Sequence, residues 1–239
     1  MLSHITSDPL VRGVFWSVIT ICLYFVVKKI YRRLDYWWLM PLLLTPFSIS
    51  GFVLLLHADY QEYLRSTEWL LQFIGPVTVA FAIPIYERRA LIRQHWPVLL
   101  LGVFAGSFTA ILSSWSLSRV VGLDESIRLS MLPRSISSPF AVKVSLDVGG
   151  LPELTAIFVI ITGILGAIMG ELILKFFSFR SPLARGALFG VGAHAAGTAQ
   201  AHKIGQTEGA VASLAMILVG LLNSLFLPFV SHLLRSLNL

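Results

Sequence analysis

The sequence predicts an all-α polytopic membrane protein of six full spans plus two broken or re-entrant helical segments, with an inverted repeat as a candidate internal plan. Three observations carry that expectation. Hydrophobic residues make up 56% of the 239 positions and charged residues only 13%, against about 25% charged in ordinary soluble domains, so polar surface is too scarce to coat a water-soluble globule. Six apolar windows approach or reach the roughly 20 residues that a helix needs to cross hydrocarbon. Two further charge-poor stretches, residues 133–150 and 186–205, are interrupted by prolines, glycines and polar side chains.

The formal net charge of +6 does not point to nucleic acid, because Lys and Arg gather at the ends of apolar windows and form no single basic stripe. The lone cysteine, Cys22, lies inside an apolar window, which excludes an intrachain disulfide framework and a paired-cysteine metal site.

The first window, residues 13–27, ends in Lys28, Lys29, Arg32 and Arg33. It lacks a small-residue cleavage site and reads as a retained span. The second, 37–56, is free of charge and carries Pro41 and Pro46, both tolerable in a membrane helix. The third, 69–86, contains Gly75-Pro76 and Pro84, and the fourth, 96–118, is again without charge. Trp37, Trp38, Trp69 and Trp96 stand at window starts, where interfacial anchors belong. The connecting loops alternate: 28–36 is basic, 57–68 slightly acidic, and 86–95 holds Arg88, Arg89 and Arg93. Basic loops face the cytoplasm, which predicts an outside amino terminus and an extracytoplasmic position 120.

The chain reads as one transmembrane domain, 1–239, with four spans in 1–122 and two units of broken helix plus span in 123–239. The spans of those units are 154–174, bearing Glu171, and 209–231. If both broken segments dip and return, Lys175, Arg180 and Arg185 fall in the cytoplasm, as the charge rule favours; if both cross, the same residues fall outside. Val148-Gly149-Gly150 before Pro152-Glu153 also resembles Ile204-Gly205-Gln206 before Thr207-Glu208. With both segments dipping, the two units have opposite orientation, the plan of secondary transporters built on discontinuous helices.

Residues that could carry chemistry concentrate in the interrupted stretches. Pro133-Arg134-Ser135-Ile136-Ser137-Ser138-Pro139 reads as a helix break and a new helix start, with Ser138 as cap and Pro139 in the first turn. Free N–H groups and the positive dipole end there suit an anion. The alternative is that the serines satisfy their own backbone and Arg134 snorkels to an interface. In 190–200 the polar members are His194, Thr198 and Gln200 among small residues that permit close helix approach. His194 is either a substrate-binding or proton-coupling group or a histidine bonded to a backbone carbonyl. Thr198 shares its face if the segment is helical. Lys143, Glu153, Glu208 and Asn223 are supporting candidates: Glu153 and Glu208 begin spans, where a carboxylate gains from the helix dipole; Lys143 and Asp147 are spaced to pair; Asn223 either bonds across helices or faces a cavity. Gly163, Gly166 and Gly170 form a packing face. No nucleotide loop, GxSxG elbow or HExxH motif is present, so neither an enzyme nor a cofactor or metal site is expected.

At these same stretches the chain resembles the LrgB/CidB family of bacterial membrane proteins. The resemblance is carried by Leu132 to Pro139, by Gly149-Gly150-Leu151-Pro152-Glu153-Leu154-Thr155-Ala156 with Phe158 to Gly166, by Ala193 to Ala201, by Thr207-Glu208-Gly209, and by Gly75-Pro76-Val77-Thr78-Val79-Ala80. It extends from about residue 70 to the carboxyl end. It implies a multi-pass protein of the bacterial cytoplasmic (inner) membrane, antiholin-like in one description and paired with a small LrgA/CidA-type protein. Related proteins, a plant plastid member among them, look like carriers of small hydroxy- or keto-carboxylates, which implies a carrier of small monocarboxylates of the glycolate, glycerate, pyruvate or lactate type. Gln200 stands where the family pattern suggests arginine. The partners expected are a small carboxylate, the lipid bilayer, an LrgA/CidA-type protein or further copies of the chain, and no nucleic acid. Under the carrier reading Arg134, Ser135, Ser137, Ser138, His194, Thr198 and Gln200 line the site.

Overall fold

A computed structural model describes residues 9–34, 36 and 39–236, and every regular element among them is helical. Trp37 and Trp38, two of the expected interfacial anchors, lie outside the described residues, as does the amino terminus up to residue 8. The chain divides into two compact units, one ending at Pro76 and one beginning at Val77. Among the described residues, four helices are long and apolar enough to cross a membrane: α1 (Pro9–Leu34), α6 (Arg89–Val120), α9 (Pro152–Phe176) and α11 (Gln206–Ser236).

In the first unit α1 is followed by α2 (Pro41–Leu55) and α3 (Tyr60–Leu71). At 15 residues α2 reaches only about 22 Å, short of the roughly 30 Å hydrocarbon core. The stretch expected to be an acidic loop is in fact mostly α3, because Asp59 accepts from the Gln61 N–H and caps it and its other face packs on α1. Tyr63 meets the Trp16 ring edge-on at 5.5 Å and reaches the Thr20 hydroxyl, while Trp69 donates to Ser17 Oγ at 2.7 Å. The third window is not one span. It divides into the end of α3, then α4 (Ile74–Ala80) and α5 (Ala82–Glu87). Pro76 and Pro84 are each the third residue of a short helix, where the missing N–H costs nothing.

In the second unit α6 kinks at His95 (φ −123°, ψ 17°), two residues before Pro97, whose ring displaces the carbonyl one turn back. Beyond Gly122 the chain forms α7 (Glu125–Met131), a 3-10 turn (Leu132–Ser135) and α8 (Ser138–Val148). Extended Ile136 and Ser137 separate the turn from α8. The new helix start expected at this point is present, but its cap position is Ser137, one residue before Ser138.

This first segment folds back on itself. Ser130 Oγ in α7 accepts from the Leu151 N–H at 2.7 Å, and Thr155 donates to the Ser130 carbonyl at 2.9 Å. A Cβ on Gly150 would lie 2.9 Å from the Ser130 nitrogen, so the chain that leaves at 130 has returned by 150. Gly149 makes the exit turn at φ 82°, a left-handed conformation that glycine adopts without penalty.

The second segment, α10 (Pro182–Ile204), folds back more sharply. His194 interrupts it at φ 37°, ψ −120°, and Gly197 returns against the Phe189 carbonyl, eight residues away in sequence. In a continuous helix those residues would stand about 12 Å apart. At the open end Arg185, in the first turn of α10, pairs with Glu208, in the first turn of α11, at 2.7 Å. The arms of 12 and 10 residues on either side of His194 span about 18 and 15 Å, close to half a hydrocarbon core.

Helix α9 separates the two folded segments. Its Thr155 bonds the open end of the first, whereas Gly163, Gly166 and Gly170 accommodate His194, Ala193 and Phe189 of the second in descending order, so α9 and the first arm of α10 are antiparallel. The glycine face expected to serve packing does so. Buried Leu132, Ile136, Phe140, Ala141, Val144 and Val148 fix the first segment in the main core, and Phe140 lies against Gly220 of α11.

Candidate functional site

The tips of the two folded segments meet. Arg134 belongs to the 3-10 turn at the tip of the first, and His194 is the turning residue of the second. The imidazole hydrogen-bonds to the Arg134 backbone, the alternative expected for it from the sequence, and lies within electrostatic reach of the Arg134 guanidinium. A Cβ on Gly163 would come within 2.7 Å of His194 Cε1, so α9 holds the ring from behind only because it has glycine there. The His194 backbone lies in a region that L-residues rarely occupy, at a cost of about 1–3 kcal/mol that the surrounding packing must supply.

Arg134 is half-buried, and its Nε donates to Ser114 Oγ of α6 at 2.7 Å. Among the described residues no carboxylate forms an ion pair with it. Ser135, Ser137 and His194 are buried, at 6%, 4% and 1% exposure, and Ser135 Oγ, Ser137 Oγ and His194 Nε2 have no hydrogen-bond partner. The serines therefore do not satisfy their own backbone, and Ser137 in particular does not cap α8 with its side chain. Leaving such groups dry and unbonded costs roughly 1–3 kcal/mol each.

Two helical N-termini adjoin these groups in sequence, that of α8 directly after Ser137 and that of the second arm of α10 directly after His194. Each presents N–H groups and the positive end of a peptide dipole. With a guanidinium added and no acid paired with it among the described residues, the arrangement is short of negative charge and rich in hydrogen-bonding groups. A carboxylate supplies both, since its two oxygens accept from a guanidinium, from hydroxyls and from backbone N–H groups.

The other sequence candidates lie elsewhere. Ser138 is the first residue of α8, beside the site. Thr198 follows His194 by one turn but points to Met216 Sδ at 3.8 Å; the break at His194 removes the continuous helical face expected for the two. Gln200 lies a further half-turn away, half-buried. Lys143 and Asp147 are exposed on α8 and, among the described residues, form no ion pair with one another. Glu153 is exposed in the first turn of α9, as a dipole-stabilising carboxylate would be. Glu208 does more than begin a span, because it closes the open end of α10 against Arg185. Asn223 bonds across helices, donating to Ser107 Oγ of α6 and to the Val219 carbonyl, each at 2.8 Å.

Sequence reasoning missed Ser107 and Ser114. Their seven-residue spacing on one face of the charge-free window 96–118 is the signal that could have found them.

These features define a multi-pass helical membrane protein whose buried polar groups collect where two folded-back segments meet. Residues 20–233 match the LrgB-like family. The chain is similar to YwbG of Bacillus subtilis, described as uncharacterized, with 34% identity over 91% of this chain and 96% of the relative. It is similar to YxaC of the same organism, also described as uncharacterized, with 33% identity over 89% and 93%. It shares 29% identity with the holin-like protein CidB of Staphylococcus epidermidis, over 91% and 95%. No solved structure matches it. The chain belongs to the LrgB-like family of bacterial membrane proteins.

Proposed function

We propose that the protein is a secondary carrier of small monocarboxylates, of the glycolate, glycerate, pyruvate or lactate type, bound between the two tips. The observation that carries this reading is Arg134, a half-buried cation with no acid partner among the described residues, near Ser135 Oγ, Ser137 Oγ and His194 Nε2, none of which has a hydrogen-bond partner. Arg134 binds the carboxylate, the serines and the free N–H groups complete its oxygens, and His194 bonds a hydroxyl or keto oxygen or carries the coupled proton. Thr198 and Gln200 follow on the second arm of α10 and make no direct contact with the carboxylate.

In this reading α1, α6, α9 and α11 cross the cytoplasmic membrane with the amino terminus outside, and the short α2 and the broken α4–α5 pair complete six crossings with local thinning of the bilayer to match their length. The two folded segments dip from opposite sides and stop near mid-depth. Folded segment plus α9 and folded segment plus α11 are then inverted copies, as in carriers whose broken helices meet at the midplane.

Uptake of labelled glycolate, pyruvate and lactate into proteoliposomes tests the proposal. Wild type transports at least one, and Arg134→Gln reduces its uptake at least 100-fold; a folded wild type that transports none refutes it. A second reading rests on the holin-like name of the CidB relative: a partner of a small LrgA/CidA-type membrane protein controlling murein hydrolase export and lysis. Co-purification with such a protein, with lysis phenotypes and no flux, favours that reading.

A further inference from the structure

A second place in the molecule is also rich in donors and short of acceptors. Trp115 of α6 is 6% exposed, and the Arg128 guanidinium of α7 lies 5.4 Å from the centre of its ring. The Nε1–H of Trp115 and the Nε–H of Arg128 are both buried and without an acceptor. Both groups can only donate, so neither can satisfy the other. What the pair requires is an acceptor from outside, and the guanidinium favours one with negative charge.

The acids nearest in sequence do not supply it. Asp124 and Glu125 are exposed at the start of α7, and neither forms an ion pair with Arg128. The location is informative as well. Adjacent residues of α6 serve the two arginines, Ser114 bonding Arg134 and Trp115 lying under Arg128. From Arg128 to Arg134 the chain makes about one turn of α7 and then the 3-10 turn, a rise of about 10 Å. Arg128 is on the open-end side of the first folded segment, two residues before Ser130, where the chain leaves and returns. An anion approaching Arg134 from that side passes Arg128 first.

We propose that Trp115 and Arg128 form an outer anion station for small carboxylates, ahead of the Arg134 site; as a station on a transport path it rests on the carrier reading, but as a binding site it does not. The carboxylate accepts from Trp115 Nε1 and Arg128 Nε while the ring keeps the guanidinium in place through a cation–π contact.

The test is an equilibrium titration of purified protein in nanodiscs with sodium glycolate, pyruvate and lactate. It is read as the tryptophan fluorescence of wild type minus that of Trp115→Phe, a substitution that retains an aromatic ring and removes the N–H. At least one anion is expected to give a saturable difference signal that survives Arg134→Gln and shifts at least tenfold to higher concentration in Arg128→Gln. Circular dichroism and gel filtration establish that each variant is folded. Absence of the signal with all three anions, an equal response to sodium chloride, or loss of the signal in folded Arg134→Gln overturns the station. A signal that persists in protein incapable of uptake overturns the carrier reading and leaves the station standing.

Discussion

Replacing Arg185 and Glu208 one at a time probes the fold where its reading is sharpest. The pair is short at 2.7 Å but uneven, because the Arg185 side chain is 31% exposed and that of Glu208 only 8%. Removing one partner of a fully buried pair costs about 3–5 kcal/mol, chiefly because the other charge is stranded. Arg185→Gln strands a buried carboxylate and is expected to cost about 3 kcal/mol. Glu208→Gln leaves a guanidinium with access to water and is expected to cost about 1 kcal/mol, near the value of an ordinary hydrogen bond. Because the pair joins the two ends of α10, the loss should appear as local opening. Three kcal/mol corresponds to a roughly 100-fold increase in the open population. Hydrogen exchange in nanodiscs reads it directly: peptides from 186–205 exchange faster in Arg185→Gln than in Glu208→Gln, while peptides from α9 serve as the internal reference. The doubly exchanged protein, Arg185→Glu with Glu208→Arg, recovers part of the protection. Equal effects of the two single substitutions, or no recovery on exchange, would refute the proposition that α10 returns to where it began.

Three further outcomes are expected. Asn223→Leu removes the donor to Ser107 and should cost about 1 kcal/mol, since interhelical hydrogen bonds in membranes average about 0.6 and reach about 1.7; thermal unfolding falls by about 2–4 °C, and no change would place the bond outside the stability of the core. Gly192→Ala is tolerated because nothing lies within 4 Å of the added carbon, Gly190→Ala loses at least about 2 kcal/mol against the Ala212 backbone, and Gly163→Ala displaces His194 and suppresses uptake more than thermal stability; an equal loss for all three would contradict the packing described. In a Cys22→Ser background, Leu146→Cys is labelled by an impermeant maleimide from the outside and His202→Cys from the cytoplasmic side, and labelling of both from one side would overturn opposed dipping.

The sequence identifies the first break well, because two prolines and a run of serines leave no continuous helix across 133–139, and the structure displaces the cap by a single residue. It locates the second interrupted stretch through its small residues but not its turning point. His194 has neither proline nor positive-φ glycine chemistry, and its conformation is imposed by contacts with α9 and by the return of Gly197 that no local pattern encodes. The third window misleads for the opposite reason. Pro76 and Pro84 are tolerable within a membrane helix, so hydropathy alone joins what the structure separates into α4 and α5. Ser114 is hidden by averaging: a hydroxyl barely lowers the hydropathy of a window, yet it is the partner that positions Arg134.

That no acid among the described residues pairs with Arg134 has a thermodynamic consequence for the protein as a whole. A half-buried cation without a counter-charge raises the energy of the empty molecule, so under the carrier reading the transported anion is also a stabilising ligand. At 100 times its dissociation constant it adds about 2.7 kcal/mol to the folded state. A library of carboxylates ranked by the rise in melting temperature that each gives to wild type, and fails to give to Arg134→Gln, would then reveal the substrate before any flux is measured.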